Sequence, residues 1–468
     1  MKCPYCQQDH PDDAQICPLT GGKLTPPPVV EQAGTTDAGR SRIALPWLLL
    51  AAAVLLCLCA IVVITIGVTL SQTNLGGEPL TPTISLRALD TLTPSITPGS
   101  PAISTFTSSD TPPPVQAPAQ TMTPTATNIP MPIQPCVSYY DQTLGDLKFA
   151  CQEWPEWIIE TVDSQGDVGL YSSLVFDTAS NPHIAYFDQS RSRLKYASWT
   201  GKGWNIEIVD EAGSVGMYAS LVLDGQNQPL ISYYDQDNGA IKLARQSNGS
   251  WQLLTVDVVG ISQKTDLLAT STSVAVGWDN AGIVAYYDIN NGLLKLAHIR
   301  GDQVEIETVD SSGDVGNYSS LALDIEGNPA ISYFDNTHLA LKFAWWDGNQ
   351  WSIQTVDSSG EVGKFTSLVF DFNNHVHISY FEDDRDNLKY ARWDEQGWLI
   401  QSVDTPAVVG LGTSIAIDLQ GYPRIAYLEH SNWNLRFAFW TGQYWDAEIV
   451  DTAGEVGFYP SLKFKPQY

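Results

Sequence analysis

Short apolar segments separated by polar turns alternate along the C-terminal part of the chain. In one stretch they run from Tyr171 to Asp177, His183 to Asp188, Leu194 to Trp199 and Trp204 to Asp210. Segments of six or seven residues, rich in Val, Ile, Tyr, Phe and Trp and bounded by Asn, Pro, Gly and Asp, are typical of β-strands. No helical period of useful length occurs in this region, so the pattern predicts an all-β domain.

This group of four segments repeats every 47 residues, apart from one interval of 53. Two markers keep its phase, a Val-Asp pair and a tyrosine. The aspartates are Asp163, Asp210, Asp257, Asp310, Asp357, Asp404 and Asp451, and the tyrosines are Tyr139, Tyr186, Tyr233, Tyr286, Tyr333, Tyr380 and Tyr427. Four antiparallel strands in 40–50 residues form the blade of a β-propeller. We therefore expect seven four-stranded blades.

The two ends of the repeat region are complementary. The chain enters midway through a repeat, at Pro135, and leaves midway through another, after Tyr459. The C-terminal strand therefore completes the first blade, which would close the ring and remove an exposed sheet edge. The alternative, a linear solenoid, would require polar caps at both ends.

The segment 43–70 contains no charged residue. About 20 apolar residues cross a bilayer, so this segment predicts an uncleaved transmembrane helix. The nearest basic residues, Arg40 and Arg42, precede it, in the linker 25–42. The positive-inside rule therefore predicts a cytoplasmic N-terminus and linker, a single-pass cell-membrane protein and an extracellular propeller over 136–468.

The segment 71–135 joins the predicted helix to the propeller. Pro, Ser and Thr make up 33 of its 65 residues, and Arg87 is its only basic residue. Such a composition buries too little apolar surface to offset chain entropy, so we expect a disordered stalk.

Residues 1–24 contain Cys3-Pro-Tyr-Cys6 and Cys17-Pro. This motif resembles a bacterial zinc ribbon, although Thr20 replaces the fourth cysteine. His10 is the substitute we expect, because imidazole and thiolate both suit tetrahedral Zn²⁺. The resemblance implies a structural zinc ion on Cys3, Cys6, His10 and Cys17, with a cytoplasmic protein as a possible partner. The alternative is a decayed ribbon that binds metal weakly or not at all.

Cys136 and Cys151 flank one predicted hairpin, Cys136-VSYYDQTLGDLKFA-Cys151, and lie opposite each other across it. An oxidising compartment would allow them to form a disulfide. The bond would fasten the blade that carries the N-terminal end of the ring.

A recurring Gly-x-Val-Gly-x-Tyr motif links the outermost strand of one blade to the innermost strand of the next. It would bring aromatic and acidic side chains to the central opening, and such a combination suits sugars or cations. These ligand-binding candidates are Tyr171, Tyr218, Tyr318, Phe365, Tyr459, Asp167, Asp314, Glu361 and Glu455. The alternative is a purely structural crossing loop, for which two glycines are suited.

Two further features bear on this choice. An acid followed seven residues later by a base recurs in every blade, as in Asp141 and Lys148, and its regularity favours a scaffold role. The fourth blade lacks the glycine motif and carries six extra residues between Val258 and Ser271. This irregularity is either a place where specificity resides or a tolerated insertion.

Charge restricts the possible partners. Residues 136–468 contain 19 of the 24 Lys and Arg residues and 44 of the 52 Asp and Glu residues, a net charge of about −25. This field repels nucleic acid and anionic lipid. Two acidic turns, one beginning at Asp235 and one at Glu382, are weak Ca²⁺ candidates because they lack a full ligand set.

No hydrolase, metalloprotease or phosphate-loop motif is present, so no catalytic residue is assigned and enzymatic activity stays undecided. The repeat, with Ile-Ser-Tyr-Phe-Asp and Leu-Lys-Tyr-Ala, resembles bacterial surface propellers and, more loosely, lectin-type propellers. The resemblance implies the fold more than a function. From the organisation of the whole chain, the leading hypothesis is a surface protein whose stalked propeller binds an extracellular glycan or protein. The alternatives are a hydrolase or lyase acting on polysaccharide, or an assembly scaffold.

Overall fold

A computed structural model describes residues 134–247, 249–261, 271–394, 396–404 and 409–466. These residues form 28 strands in seven separate four-stranded antiparallel sheets. In six of the sheets all neighbouring strands are joined by short hairpins, as the 47-residue repeat predicts, whereas the seventh sheet combines strands from both ends of the repeat region. The predicted seven-bladed propeller is confirmed.

The strands of the blades, taken from the innermost strand outwards, have the following bounds. Blade 1 contains β28 (Val456–Lys465), β1 (Gln134–Asp141), β2 (Asp146–Glu153) and β3 (Glu156–Asp163). Blade 2 contains β4 (Val168–Phe176), β5 (Pro182–Asp188), β6 (Arg193–Trp199) and β7 (Trp204–Asp210). Blade 3 contains β8 (Val215–Leu223), β9 (Pro229–Asp235), β10 (Ala240–Ser247) and β11 (Ser250–Val258).

The remaining blades follow the same order. Blade 4 contains β12 (Thr272–Val276), β13 (Gly282–Asp288), β14 (Leu293–Arg300) and β15 (Gln303–Asp310). Blade 5 contains β16 (Val315–Leu323), β17 (Pro329–Asp335), β18 (Ala340–Trp346) and β19 (Trp351–Asp357). Blade 6 contains β20 (Val362–Phe370), β21 (Val376–Glu382), β22 (Asn387–Asp394) and β23 (Gly397–Asp404). Blade 7 contains β24 (Val409–Ile417), β25 (Pro423–Glu429), β26 (Asn434–Trp440) and β27 (Trp445–Asp451).

Blade 1 closes the ring in the way that the two half-repeats predict. Its inner strand β28 comes from the C-terminal end of the chain and pairs with β1, so that Gln134 lies opposite Lys465. The blade therefore begins at Gln134, two residues before the predicted boundary. Cys136 and Cys151 lie opposite each other in β1 and β2, and their sulfur atoms are 2.00 Å apart.

The core lies between adjacent blades. One apolar cluster, for example, joins Leu194 and Tyr196 of blade 2 to Leu221 and Ile231 of blade 3. The seven marker tyrosines have no exposed surface. Because each blade covers one face of its neighbour, the seven sheets together bury apolar surface that a single sheet would leave exposed.

A closed chain of hydrogen bonds links the seven inner strands. In each blade a backbone N–H donates to a serine Oγ on the inner strand of the preceding blade, as in Leu221 to Ser173 at 3.0 Å. The acceptors are Ser173, Ser220, Ser273, Ser320, Ser367, Ser414 and Ser461. The link from Leu174 to Ser461 joins blades 1 and 2 across the closure of the ring.

The recurring acid–base pair makes a different contact from the predicted one. Within blade 5, Lys342 Nζ lies 3.7 Å from Asp335, the acid seven residues earlier, but only 2.6 Å from Asp310 at the end of blade 4. The base therefore binds most closely to the Val-Asp marker of the preceding blade. Blades 1 and 4 differ, because Lys148 lies 3.7 Å from Asp141, and Lys295 lies 2.7 Å from Asp288 and 3.0 Å from Asp257.

Candidate functional site

The five predicted aromatic residues surround the central channel. They lie near the start of the inner strands and line a cavity of about 230 Å³. The other residues of the described lining are small, uncharged or both. The full lining consists of Tyr171, Ser172, Tyr218, Ala219, Ser271, Thr272, Tyr318, Ser319, Phe365, Thr366, Gly412, Thr413, Tyr459 and Pro460.

The backbone at these aromatic residues is left-handed. The φ angles of Tyr171, Tyr218, Tyr318, Phe365 and Tyr459 lie between 51° and 55°. Bulky residues rarely adopt this conformation, which costs on the order of 1–3 kcal/mol. The register of all five inner strands that carry these residues shifts at this point, for example between Leu170 and Ser173. This bulge directs the ring into the channel instead of the blade interface.

Hydroxyl groups of the neighbouring blade hold the strained backbone in place. Ser172 Oγ donates to the carbonyl oxygen of Tyr459 at 3.0 Å, and Thr413 Oγ1 donates to that of Phe365 at 2.9 Å. Thr272 makes the same contact with Tyr218 at 3.0 Å. Contacts between neighbouring blades therefore fix the backbone at the aromatic positions, and its conformation does not depend on a ligand.

The circle of aromatic side chains around the channel has two gaps. Seven blades supply seven equivalent positions, and the spacing of the inner-strand serines assigns Ser271 to that of blade 4 and Gly412 to that of blade 7. Gly412 keeps the left-handed backbone, with φ of 61°. Two blades separate the two gaps on one side of the ring and three on the other, so the gaps lie on nearly opposite sides of the channel.

The gaps divide the aromatic residues into two walls. The first wall contains Tyr459, Tyr171 and Tyr218, with ring centroids 4.5 Å apart at both steps. The second contains Tyr318 and Phe365, whose centroids are 4.9 Å apart. We call the space between them the aromatic slot. It runs from Ser271 to Gly412.

The tyrosines of the first wall are uncharged. Burial raises the pKa of Tyr171 far above its usual value, and the neighbouring Tyr459 and Tyr218 raise it further. The pKa of Tyr218 is raised mainly by burial as well. The wall therefore combines apolar ring faces with neutral hydroxyl groups, which is a surface suited to an uncharged polar ligand.

The four predicted acids do not join the aromatic residues in the cavity lining. Asp167 accepts a hydrogen bond from the hydroxyl of Tyr140 at 2.7 Å, and Asp314 accepts one from Tyr287 at 2.5 Å. Glu361 lies 2.6 Å from Lys364 Nζ, and Glu455 accepts from Gln142 at 2.8 Å. They occupy the loops above the channel, where each has a protein partner.

The described residues contain no group of three or more His, Cys, Asp and Glu side chains arranged to hold a metal ion. The acidic side chains that begin the two weak Ca²⁺ candidates bind other groups of the protein. Asp235 accepts hydrogen bonds from the backbone and side chain of Asn238, and Glu382 binds Arg385 and Asn387.

Several predictions concern residues outside the described ranges. They include the zinc ligands Cys3, Cys6, His10 and Cys17, the transmembrane segment 43–70, the stalk up to residue 133 and most of the six-residue insertion. Within the described ranges, no helix has the length and apolar character needed to cross a membrane.

Two side-chain groups were missed at the sequence level. One is the set of marker aspartates, which accept hydrogen bonds from the marker tyrosines. The other is a buried pair found only in blades 2 and 6, where His183 contacts Tyr196 and His377 contacts Tyr390. An alignment of the repeats reveals this pair, because the two positions hold His and Tyr in blades 2 and 6 but Leu230 and Leu243 in blade 3.

Comparison with known proteins supports the fold. No family model matches the sequence, and no curated protein matches it. Among solved structures, a protein from Lactobacillus plantarum is similar with a TM-score of 0.51 at 11% identity, covering 71% of this chain and 99% of that one. At this level of identity the similarity establishes the propeller architecture alone.

Two weaker similarities have TM-scores below 0.5, so no argument rests on them. The first is to a putative 6-phosphogluconolactonase from Bacteroides uniformis, with a TM-score of 0.47 at 10% identity, 71% of this chain and 99% of that one. The second is to YCF48 from Cyanidioschyzon merolae, with a TM-score of 0.42 at 12% identity, 65% of this chain and 98% of that one.

Proposed function

We propose that the propeller is the ligand-binding domain of a single-pass surface protein and that the aromatic slot binds one sugar unit of an extracellular glycan. The observation that carries the proposal is the two groups of aromatic side chains that together line the channel. A pyranose ring has apolar C–H faces and equatorial hydroxyl groups. It can place its faces against the walls while its hydroxyl groups bond to tyrosine, serine and threonine.

The size and charge of the cavity favour the same class of ligand. A volume of about 230 Å³ is below the range typical of drug-sized ligands, so it suits one small ring. The described lining carries no acid, base or amide side chain. It offers hydrogen bonds and ring faces, and this favours binding over polysaccharide cleavage, which requires carboxylates at the reacting bond.

The other parts of the chain complete the proposal. Residues 43–70 would anchor the protein, 71–135 would hold the propeller away from the membrane, and 1–24 would form a cytoplasmic zinc module on Cys3, Cys6, His10 and Cys17. Zinc analysis of the full chain and of a His10→Ala variant tests the last point. We expect one zinc ion per chain, with weakened retention in the variant.

The glycan proposal is tested by array binding of residues 132–468, which contain all seven sheets, with and without Ca²⁺. We expect saturable binding that is lost when Tyr171, Tyr318 and Tyr459 are changed to Ala. The control is Tyr444→Ala, because Tyr444 is half-exposed and lies in the outer part of blade 7, away from the channel. Absence of glycan binding under both conditions would contradict the proposal and favour a protein ligand.

A further inference from the structure

The far end of the channel carries a second unassigned surface. There, hairpin turns connect the inner strand to the second strand in blades 2 to 7. In five of these six turns an aspartate such as Asp324 accepts hydrogen bonds from the backbone of the turn, and blade 4 has Gly277 at this position. They differ in the residue that follows the first turn position.

That residue changes from small to large around the ring. It is Thr178 in blade 2 and Gly225 in blade 3, whereas blades 4 to 7 carry large apolar residues. These four residues, which we call the apolar arc, are Trp278 at 83% exposure, Ile325 at 63%, Phe372 at 65% and Leu419 at 68%. Four consecutive turns thus project apolar side chains into solvent.

Contacts between neighbouring turns hold part of the arc in place. The ring of Trp278 lies directly on Gly327 of the next turn, where an added Cβ would be 2.2 Å from the ring. Asn374 accepts a hydrogen bond from the backbone of Ile325 at 2.9 Å. The turns that carry Trp278, Ile325 and Phe372 are therefore linked to one another, and this part of the arc is preformed.

We infer that the apolar arc is the contact surface between two copies of this chain. A two-fold axis that passes between blades 5 and 6 would place Trp278 against Leu419 of a second copy and Ile325 against Phe372. Each contact is then apolar on both sides, as an isologous interface requires. Four such side chains present on the order of 600 Å² per copy, so two copies would bury about 1,200 Å², the lower end of specific interfaces.

Charge at the arc permits this contact. The aspartates that begin the turns are bonded to their own backbone, and Asp279 is paired with Arg300 at 3.0 Å. The propeller as a whole is strongly acidic, which repels a second copy at long range. Association should therefore strengthen as salt screens the repulsion, whereas binding of a basic partner would weaken.

Sedimentation of the full chain in detergent tests the inference. In the test variant, Trp278 and Phe372 are both changed to Thr, the residue that blade 2 carries at this turn. The matched control changes Ile208 and Ile353, half-exposed residues of the outer strands, to Thr. We expect two associated copies for the wild type and control, more so at high salt, and a loss of at least tenfold in association for the test variant. Equal association of all three, or a wild type that stays single, overturns the inference.

Cross-linking distinguishes the arc from any other contact that joins two copies. Two differently tagged chains, one with Ile325→Cys and one with Phe372→Cys, are expressed together and oxidised. We expect a disulfide between the two tags. The control pair, Thr178→Cys and Gly225→Cys, should give none. An equal yield from both pairs, or no product from the first, contradicts the two-fold arrangement. The outcome is independent of the glycan proposal, because the arc and the slot lie at opposite ends of the inner strands.

Discussion

The hydroxyl of Tyr186 donates a 2.7 Å hydrogen bond to Asp163, which ends the outermost strand of the preceding blade. The same contact occurs at all seven blade boundaries, with distances between 2.5 and 2.9 Å. The two residues that mark the phase of the repeat are therefore partners across the interface between blades. Their regular recurrence reflects one structural contact made seven times.

Removing the base from one of these boundaries should strongly destabilise the ring. Burial alone would raise the pKa of Asp310, but hydrogen bonds from Lys342 and Tyr333 outweigh it and lower the pKa. In Lys342→Met the carboxylate stays buried without its cation, so we expect a loss of about 3–5 kcal/mol in the free energy of unfolding, measured in urea. Lys202→Met, at an exposed turn, is the control and should change little.

The pH dependence of this boundary follows from the same shift. The pKa of Asp310 is lower in the folded state than in the unfolded state. Its contribution to the stability of the fold is therefore fully present above the unfolded pKa of 3.8 and is lost as the pH falls through the folded pKa. Lys342→Met removes this contribution. A variant whose acid unfolding matched that of the wild type would show that the ion pair is not coupled to folding.

The buried histidine of blade 6 should make stability depend on pH near neutrality. His377 Nδ1 lies 2.6 Å from the hydroxyl of Tyr390, and burial lowers the pKa of His377, an effect that Asp371 offsets only in part. Arg392 and His375 also face it and lower its pKa slightly. Because unfolding allows protonation, stability should fall as the pH drops below about 6.5.

The repeat itself supplies a variant that removes this dependence. Changing His377 and Tyr390 to Leu reproduces the pair found in blade 3, so the core can stay filled. We expect a smaller drop in melting temperature between pH 7 and pH 5 than in the wild type, and His183 accounts for the part that remains. The control Ile353→Leu changes a half-exposed residue of an outer strand and no titratable group, so it should leave the profile unchanged. An unaltered profile in the double variant would rule out His377 as the titrating group.

Filling one gap in the circle of aromatic side chains should block the ligand from entering the aromatic slot. Gly412 has a φ of 61°, close to the 54° of Tyr171, so tyrosine can adopt its backbone conformation. Its Cβ would approach Pro460 Cδ to 3.1 Å, which requires a small adjustment. For Gly412→Tyr we expect at least a tenfold loss of affinity for the strongest array glycan, measured by titration calorimetry.

The control for this variant is Gly301→Tyr, at an outer turn of blade 4 where φ is 62° and nothing lies within 4 Å of an added Cβ, and it should bind within about threefold of the wild type. Melting temperatures of both variants check that the fold is retained. If Gly412→Tyr bound the glycan as well as the wild type, the ligand could not lie in the slot.

The repeat period predicted the blade count, the strand content and the shared first blade, because each depends on local pattern and on where the pattern begins and ends. The convergence of Tyr171, Tyr218, Tyr318, Phe365 and Tyr459 was predicted for the same reason, since equivalent positions of a ring face one axis. These features require no knowledge of distances between particular atoms.

Contacts between blades were less predictable. Lys342 was paired with Asp335 in the prediction because both belong to one hairpin, whereas the structure brings it closer to Asp310 of the neighbouring blade. The gap at Ser271 was hidden by the six inserted residues, which shift its position relative to the marker. The acids of the loops were expected beside the aromatic rings, but Asp167 and Asp314 bind tyrosines of adjacent blades instead.

The position of β1 determines how the ring responds to mechanical load. The chain enters the propeller through this strand, which lies between β28 and β2 and pairs with both. Tension along the preceding chain must therefore shear two ladders of hydrogen bonds at once, and the disulfide from Cys136 to Cys151 passes part of the force to β2. An edge strand would instead peel away one bond at a time. The blade that contains the seam of the ring is thus also the one built to resist pulling.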